Sequence, residues 1–179
     1  MPHGFQRLTS YARPRPITSS DDASAFDCGE QSLNNWLTLR AIKNESDSNS
    51  RTFVTLERST GLIAGYYCLS SHSIAHEDAP GTLRRNAPDP IPVILIGRLA
   101  VDSRFAGQGV GSSLLHDALA KGVAAADLVG SRAFLVDALN ESAVAFYRRH
   151  GFTLMPEFAR ALYVTLKDMR ASICSAADR

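Results

Sequence analysis

Hydrophobic and polar residues alternate along the chain in blocks that predict helices and strands in turn. Apolar side chains recur at helical spacing over about residues 30–45. Two β-rich runs, 52–56 and 62–69, are joined by a polar turn with a glycine, which predicts a β-hairpin. The run 91–102 is apolar without alternation, which is typical of a central strand covered on both faces.

The second half of the chain continues this pattern. An apolar stripe after the strand at 91–102 predicts a helix, and a further short helix is predicted over 141–150. Asn140 stands where the N-cap of that short helix is needed, and Gly151 stands at its end. The remaining predicted strands are 132–139, 152–155 and 161–166.

The segments between these blocks are polar and rich in proline. Residues 1–25 are expected to form an irregular lead-in with one strand near Ile17. The segment 74–90, which contains Arg84 and Arg85, is expected to be a long exposed loop. A chain of 179 residues has the length of one domain.

A glycine-rich turn directly after the strand at 91–102 is the most specific feature of the chain. It reads Arg-Phe-Ala-Gly-Gln-Gly-Val-Gly over 104–111 and opens the following helix. Glycines allow positive φ angles, and the free amides at a helix N-terminus bind anions, so the turn predicts a phosphate site. It lacks the lysine of a P-loop, and its third glycine comes one residue too early for a dinucleotide fingerprint.

Composition narrows the partners of the protein. A formal net charge of +1 with 21% charged residues excludes a strongly polyanion-binding surface overall but allows a local basic patch. Three widely spaced cysteines fit neither a disulfide framework nor a zinc site, so we expect no metal and a reduced, cytoplasmic environment. The sequence contains no run of about 20 apolar residues and no apolar core of a signal peptide, so we expect no contact with a membrane.

Two motifs resemble those of the GNAT acetyltransferases. Arg104, Gly107 and Gly109 match the fixed positions of the pattern R/Q-x-x-G-x-G/A. The second pattern, N-x-x-A-x-x-F-Y-x-x-x-G-F, is matched by Asn140, Ala143, Phe146, Tyr147, Gly151 and Phe152. The resemblance covers about residues 17–168 of a single domain, 1–179. It implies an α/β fold with a mixed sheet of six to seven strands flanked by helices, in which strands 4 and 5 splay apart.

The same resemblance implies acetyl-CoA as the acyl donor and assigns residues to it. Tyr147 becomes the general acid that protonates the leaving thiolate, whereas the alternative for Tyr147 and Phe146 is core packing. The cofactor-binding residues that it implies are Leu99, Ala100, Val101, Arg104, Gly107, Gln108, Gly109, Val110, Gly111, Ser112, Asn140, Ala143 and Phe146.

None of the carboxylates that flank the predicted site is an obvious general base. Asp102, Asp137 and Glu141 each have an ordinary interpretation as a turn residue, a charge at a strand end or an acid in a first helical turn. A lysine amine with a pKa of about 10.4 needs a base, whereas an α-amine with a pKa of about 7.7–8.0 is often neutral already. The sequence therefore favours an α-amine as the acceptor.

Further segments narrow the resemblance to the GNAT toxins of type II toxin–antitoxin modules, of the TacT and AtaT type. These segments are 26–29, 51–54, 65–70 and 97–102. The resemblance implies acetylation of the α-amino group of aminoacyl-tRNA, which blocks translation, and neutralisation by a ribbon-helix-helix antitoxin. It implies operator DNA as a partner only through that antitoxin, and it allows a homodimer. Expected tRNA contacts are Arg40, Lys43, Arg84, Arg85 and Arg98.

Two other functions remain open at this point. One is a GNAT enzyme that acetylates a small amine or a protein N-terminus. The other is a CoA-binding module without turnover, against which Tyr147 in a complete motif argues.

Overall fold

A computed structural model describes residues 10–177, so the first nine residues of the predicted lead-in lie outside it. The strands are β1 (Arg15–Pro16), β2 (Arg51–Leu56), β3 (Ile63–Ile74), β4 (Ile91–Val101), β5 (Ala133–Asp137), β6 (Thr153–Leu154) and β7 (Ala161–Thr165). The helices are α1 (Gln31–Leu39), α2 (Ala41–Ser46), α3 (Gly81–Arg84), α4 (Val110–Val129), α5 (Glu141–Arg149) and α6 (Leu166–Ala177). Two 3₁₀ turns are formed by His76–Asp78 and Ser103–Phe105.

The strands form one mixed sheet of seven, in the order β1-β2-β3-β4-β5-β7-β6, which confirms the predicted fold class. β4 and β5 are parallel, whereas the pairs β1–β2, β2–β3, β5–β7 and β6–β7 are antiparallel. The register of β4 with β5 runs from Val93↔Ala133 to Ile96↔Val136. β4 itself continues to Val101, as expected if the two strands diverge beyond Ile96.

The chain divides into two compact units, of which the first comprises Met1–Leu69 and Arg98–Ala118. Its core contains Val54 and Tyr66 of the predicted hairpin, packed with Leu37 and Ala41 from the predicted helical stripe. The hairpin turns at Gly61, whose φ of 72° is a left-handed conformation that favours glycine. The apolar periodicity therefore identified the buried faces of this unit.

The second unit comprises Ser70–Gly97 and Leu119–Arg179. The apolar side chains of β4 and β5, such as Val93 and Ala133, lie in its core together with Leu83 and Met155. Gly122 of α4 lies so close to Phe134 that an added Cβ would come within 2.1 Å of the ring. This glycine allows the helix and the strand to approach each other closely.

Two predicted elements differ from those observed. The helix predicted over 30–45 is broken at Arg40, whose ψ of −31° accompanies a φ of −122°. Just before the break, the hydroxyl of Thr38 donates to the carbonyl of Asn34, a bond that bends helices. The segment 74–90 is not a plain exposed loop, because it contains α3 and its Leu83 is fully buried.

The helix α6 was missed by the sequence analysis. Its buried Leu166 and Met169 are three residues apart, and Thr165 caps its start by accepting from the amide of Asp168 at 3.0 Å. The apolar pair and the capping threonine are both present in the sequence, but the apolar pattern is short and lies among polar residues. Among residues 10–177, we find no helix with the length and apolar character needed to span a bilayer.

Candidate active site

The glycine-rich turn of the first unit lies between β4 and α4, as predicted. The chain leaves β4 at Val101, passes through the 3₁₀ turn Ser103–Phe105 and enters α4 at Val110. Gly107 and Gly109 have φ angles of 71° and 84°. A Cβ added at either glycine would meet no other atom within 4 Å, so the backbone of the turn is open. Open backbone at the start of a long helix suits an anion such as a pyrophosphate.

A buried carboxylate holds the base of this turn. Asp102 is 1% exposed and accepts hydrogen bonds from the amides of Asp27 and Arg104, at 3.0 and 2.9 Å. It also accepts from Nε and Nη2 of the Arg104 guanidinium, at 2.8 and 2.7 Å. Burial would raise the pKa of Asp102, but these bonds outweigh it and lower the pKa to about 2. At neutral pH Asp102 is therefore an anion that fixes the turn, which agrees with its interpretation as a turn residue.

The side chain of Arg104 is bound within the protein. Besides Asp102, its guanidinium donates to the carbonyl of Ala25 at 2.8 Å. Hydrogen bonding to Asp102 raises the pKa of Arg104, which keeps it charged. Arg104 thus positions the turn through Asp102, and what the turn offers a ligand here is its backbone.

Gln108, in the middle of the turn, is held by a residue that sequence reasoning missed. The hydroxyl of Tyr11 donates to Oε1 of Gln108 at 2.5 Å. The Tyr11 ring also packs edge-on against Phe105, with ring centroids 5.9 Å apart. Tyr11 lies almost a hundred positions from Gln108 in the sequence, and neither a motif nor a spacing links the two residues.

Leu99, Ala100 and Val101 end β4 next to another glycine. Ala100 is 5% exposed, and Leu99 and Val101 are half-buried. A Cβ added at Gly65 of β3 would lie 2.7 Å from Leu114 of α4 and 2.8 Å from the Ala100 carbonyl oxygen. Gly65 therefore allows the first turns of α4 to pack closely here. The sequence signal for this close packing was a glycine inside an apolar strand.

In the second unit, the other motif forms α5. The Asn140 side chain accepts from the amide of Ala143 at 2.9 Å, which confirms the predicted N-cap. Gly151, with a φ of 91°, follows the helix and ends it as predicted. Because its oxygen caps the helix, Asn140 holds α5 in place, and its predicted contact with the cofactor stays a prediction.

Tyr147 of α5 lies in an aromatic cluster and is 7% exposed. Its ring packs edge-on against Phe146 and Phe152, with centroid distances of 5.2 and 5.4 Å. His150 adds to this cluster, since its ring lies 4.6 Å from that of Phe146 and its Nδ1 is 2.8 Å from the Phe146 carbonyl. The tyrosine ring is thus fixed by contacts with other aromatic rings.

The predicted carboxylates differ in accessibility. Asp102 is buried in its network, whereas Asp137 and Glu141 are exposed. In the described part of the chain, we find no group of three His, Cys, Asp or Glu side chains that could hold a metal ion.

Comparison with known proteins shows the family to which the chain belongs. Residues 48–154 match the model of the acetyltransferase (GNAT) domain. The chain belongs to the GNAT acetyltransferase family. A tRNA-acetylating toxin of Mycobacterium tuberculosis is 47% identical to this GNAT protein over 166 residues, which are 93% of this chain and 99% of the toxin.

Solved structures of AtaT and KacT are also similar to this chain. AtaT complexed with acetyl-methionyl-tRNAfMet has a TM-score of 0.82 at 28% identity, covering 91% of this chain and 99% of AtaT. A tyrosine-to-phenylalanine mutant of KacT has a TM-score of 0.84 at 30% identity, covering 91% of this chain and 99% of KacT. AtaT, also as a tyrosine-to-phenylalanine mutant, has been solved with the C-terminus of the antitoxin AtaR and acetyl-CoA. That structure has a TM-score of 0.77 at 28% identity, and it covers 92% and 98% of the two chains.

The five cations predicted to contact tRNA fall into two groups in this GNAT protein. Arg40, Lys43 and Arg98 belong to the first unit, and the exposed Arg84 and Arg85 belong to the second. The guanidinium of Arg98 lies 4.7 Å above the Trp36 ring, and Lys43 pairs with Asp47 at 2.8 Å. Arg40 is exposed at the break between α1 and α2.

Proposed function

We propose that this GNAT protein is a tRNA-acetylating toxin, which transfers an acetyl group from acetyl-CoA to the α-amino group of aminoacyl-tRNA and so blocks translation. The observation that carries the proposal is the similarity to the Mycobacterium tuberculosis toxin, which extends over nearly the whole of both chains. The structure of AtaT with acetyl-methionyl-tRNA supports the same reaction at the level of the fold.

The glycine turn is suited to hold acetyl-CoA. Its open backbone at Gly107 and Gly109 would receive the pyrophosphate on the amides of residues 107–112, because the amides of residues 104–106 already donate to Asp102 and Ser103. Acetyl-CoA, when bound, supplies the acetyl group that is transferred. The end of β4, from Leu99 to Val101, would bind the pantetheine arm like an added strand and polarise the thioester carbonyl with its amides. Gln108, Val110, Gly111 and Ser112 complete the proposed binding segment.

Tyr147 is the proposed general acid. A tyrosine phenol, whose reference pKa is about 10, can donate the proton of its Oη as a thiolate leaves. Phe146 and Phe152 pack against the ring, which fixes its orientation. Phe146, Asn140 and Ala143 are the proposed cofactor contacts of α5. Structures of KacT and AtaT have both been determined with a tyrosine replaced by phenylalanine, which supports a functional tyrosine in these toxins.

The acceptor amine needs no strong base from the protein. Asp102 is buried and bound to Arg104, so it does not serve as one. An α-amine with a pKa of about 7.7–8.0 is largely neutral near pH 8, whereas a lysine amine is not. This difference favours aminoacyl-tRNA over a lysine side chain as substrate.

The biological setting follows from this reaction. The protein acts in the cytoplasm, where aminoacyl-tRNA is used, as a single GNAT domain. A ribbon-helix-helix antitoxin neutralises the toxin and provides its only link to operator DNA. The proposed function allows a homodimer of the toxin.

Incubation with radiolabelled acetyl-CoA and a panel of charged tRNAs tests the proposed function. We expect label in an N-acetylated amino acid that alkaline hydrolysis releases from the tRNA, and none in deacylated tRNA. A peptide with a free N-terminus and a small primary amine serve as competing acceptors. Labelling of either acceptor without labelling of charged tRNA would contradict the proposal and favour the other GNAT activities.

A further inference from the structure

A cleft in the second unit is lined by cations that the proposed acetyl transfer leaves unused. Its volume is about 390 Å³, which lies in the range of about 300–1,000 Å³ typical of ligand sites. The lining combines the buried Leu83 and Leu166 with Arg132, Lys167 and Arg170. We propose that this cleft binds phosphate groups of the tRNA backbone, an inference that rests on the proposed function and extends it.

Arg132 is held in place by a hydrogen bond to a neutral group. Its Nη2 donates to the carbonyl of Arg85 at 2.9 Å, and this acceptor is neutral. Its backbone is fixed on both sides, because its amide donates to Pro92 at 2.9 Å and its carbonyl accepts from Leu166 at 3.0 Å. A preorganised guanidinium loses little freedom when it binds a phosphate, which it matches with two parallel N–H groups.

Lys167 is placed where a helix by itself disfavours a cation. It lies in the first turn of α6, whose positive dipole end favours negative charge. Within residues 10–177, no acidic side chain forms an ion pair with Lys167, and the side chain is exposed. The amide of Asp168 is already bound to Thr165, so the ammonium group of Lys167 is what this turn offers an anion. A bound phosphate would be attracted by both the lysine and the helix dipole.

The cleft continues into the basic residues that sequence analysis assigned to tRNA. Arg84 follows Leu83 directly, and the carbonyl of Arg85 accepts from Arg132. Arg170 pairs with Asp127 at 2.5 Å. The residues that line the cleft include three cations, Arg132, Lys167 and Arg170, and no carboxylate. The cleft lining is therefore more basic than the chain as a whole, whose net charge is +1.

Binding of fluorescently labelled, uncharged tRNA to Lys167→Glu, over a series of salt concentrations, tests the proposal. Each phosphate contact contributes about 0.7–0.9 to the slope of log affinity against log salt. We expect weaker binding and a slope smaller by about that amount, with a larger loss for Lys167→Ala combined with Arg170→Ala. Arg58→Glu, which makes a comparable charge reversal at the exposed β2–β3 hairpin, should bind tRNA like the wild type.

Three further arms identify the source of the anion. Equal tRNA binding and equal salt slopes for Lys167→Glu, the double variant and Arg58→Glu would overturn the proposal. Inorganic phosphate or ATP that binds the wild type but not Lys167→Glu, with tRNA affinity unchanged, would assign the cleft to a soluble phosphate compound. Loss of affinity for the antitoxin alone would assign it to an acidic protein segment. Acetylation of charged tRNA by the wild type is measured in parallel, because its absence would contradict the proposed function and not only the role of the cleft.

Discussion

The glycine turn of the first unit and helix α5 of the second carry the two family motifs, but they are constructed by opposite means. In the turn, an ion pair between the buried Asp102 and the partly exposed Arg104 holds backbone that is open at its glycines. In α5, apolar rings hold a single polar side chain, Tyr147. The turn presents many weak backbone donors, whereas the helix presents one hydroxyl.

This contrast predicts different sensitivities to mutation. A site that binds through backbone amides tolerates changes of side chain but fails when its φ angles become unfavourable. A site that reacts through one hydroxyl is lost when that oxygen is removed, although packing is preserved. The predictions below separate the two kinds of loss, beginning with the largest.

Tyr147→Phe should lower turnover about 10²–10⁴-fold, the usual contribution of a general acid. The ring remains and keeps its contacts with Phe146 and Phe152, so acetyl-CoA affinity and thermal stability should change little. Steady-state kinetics with charged tRNA and calorimetry with acetyl-CoA measure the two effects.

The matched control is Tyr163→Phe. Tyr163 of β7 is partly buried outside both motifs, and its hydroxyl is 3.0 Å from Oγ1 of Thr82. Removal of this hydroxyl keeps the ring in place and should leave turnover within about twofold. A Tyr147→Phe enzyme with the turnover of this control would assign Tyr147 to core packing.

Gly109→Val should weaken acetyl-CoA binding by at least about 100-fold while the protein stays folded. A β-branched residue at a φ of 84° is strained and shifts the amides that bind the pyrophosphate. Gly61→Val is the control, because Gly61 has a φ of 72° and equally open surroundings but lies in the β2–β3 turn. Calorimetric titration should show normal acetyl-CoA affinity for this control; equal losses in both variants would mean that strain and not the site is responsible.

Asp102→Asn should destabilise the protein by about 2 kcal/mol at pH 7, because hydrogen bonds to the buried carboxylate are lost. The pKa of Asp102 is about 2 in the folded protein against an ordinary value of 3.8. A lowered pKa means that the carboxylate stabilises the fold above about pH 4 and that this contribution disappears as the pH falls towards 2.

Urea unfolding at several pH values checks this effect. The stability difference between the wild type and Asp102→Asn should shrink below about pH 4. Asp47→Asn, which removes the partner of Lys43 in an exposed pair, should cost about 0.3–0.5 kcal/mol at most. A difference for Asp102→Asn that is constant down to pH 2 would contradict the lowered pKa.

Asn140→Ala should cost about 1 kcal/mol, the usual value of an N-cap, through loss of the bond to the Ala143 amide. Thermal unfolding measures it. Asn140→Asp, which preserves the acceptor, should restore the stability. If Asn140→Asp is as unstable as Asn140→Ala, the capping role is wrong.

Much of this architecture follows from local patterns in the sequence. The glycines at 107 and 109, the N-cap Asn140 and the hairpin glycine at 61 were predicted because each satisfies a local conformational rule. The residues that were missed act over long distances along the chain. Tyr11 contacts Gln108, and Asp27 donates its amide to Asp102, and no local rule connects these pairs.

The roles of charged residues were the hardest to predict. The cofactor contact expected of Arg104 from its place in the motif stays a prediction, whereas the bonds of its guanidinium to Asp102 and Ala25 were not foreseen. Asp102 is a turn residue as expected, but its burial was not predicted, because burial cannot be read from a single polar position. Charged side chains have many possible partners, and only the three-dimensional arrangement selects among them.

Single-turnover acetylation of charged tRNA, measured over a range of acetyl-CoA concentrations, tests the central claim most directly. The claim is that the backbone of the glycine turn binds acetyl-CoA and that the Tyr147 side chain acts in the chemical step. For Gly109→Val, we predict a raised half-saturating concentration and a maximal rate near that of the wild type. For Tyr147→Phe, we predict a maximal rate about 10²–10⁴-fold lower at an unchanged half-saturating concentration. A Gly109→Val enzyme that loses only rate, or a Tyr147→Phe enzyme that loses only affinity, would contradict this division.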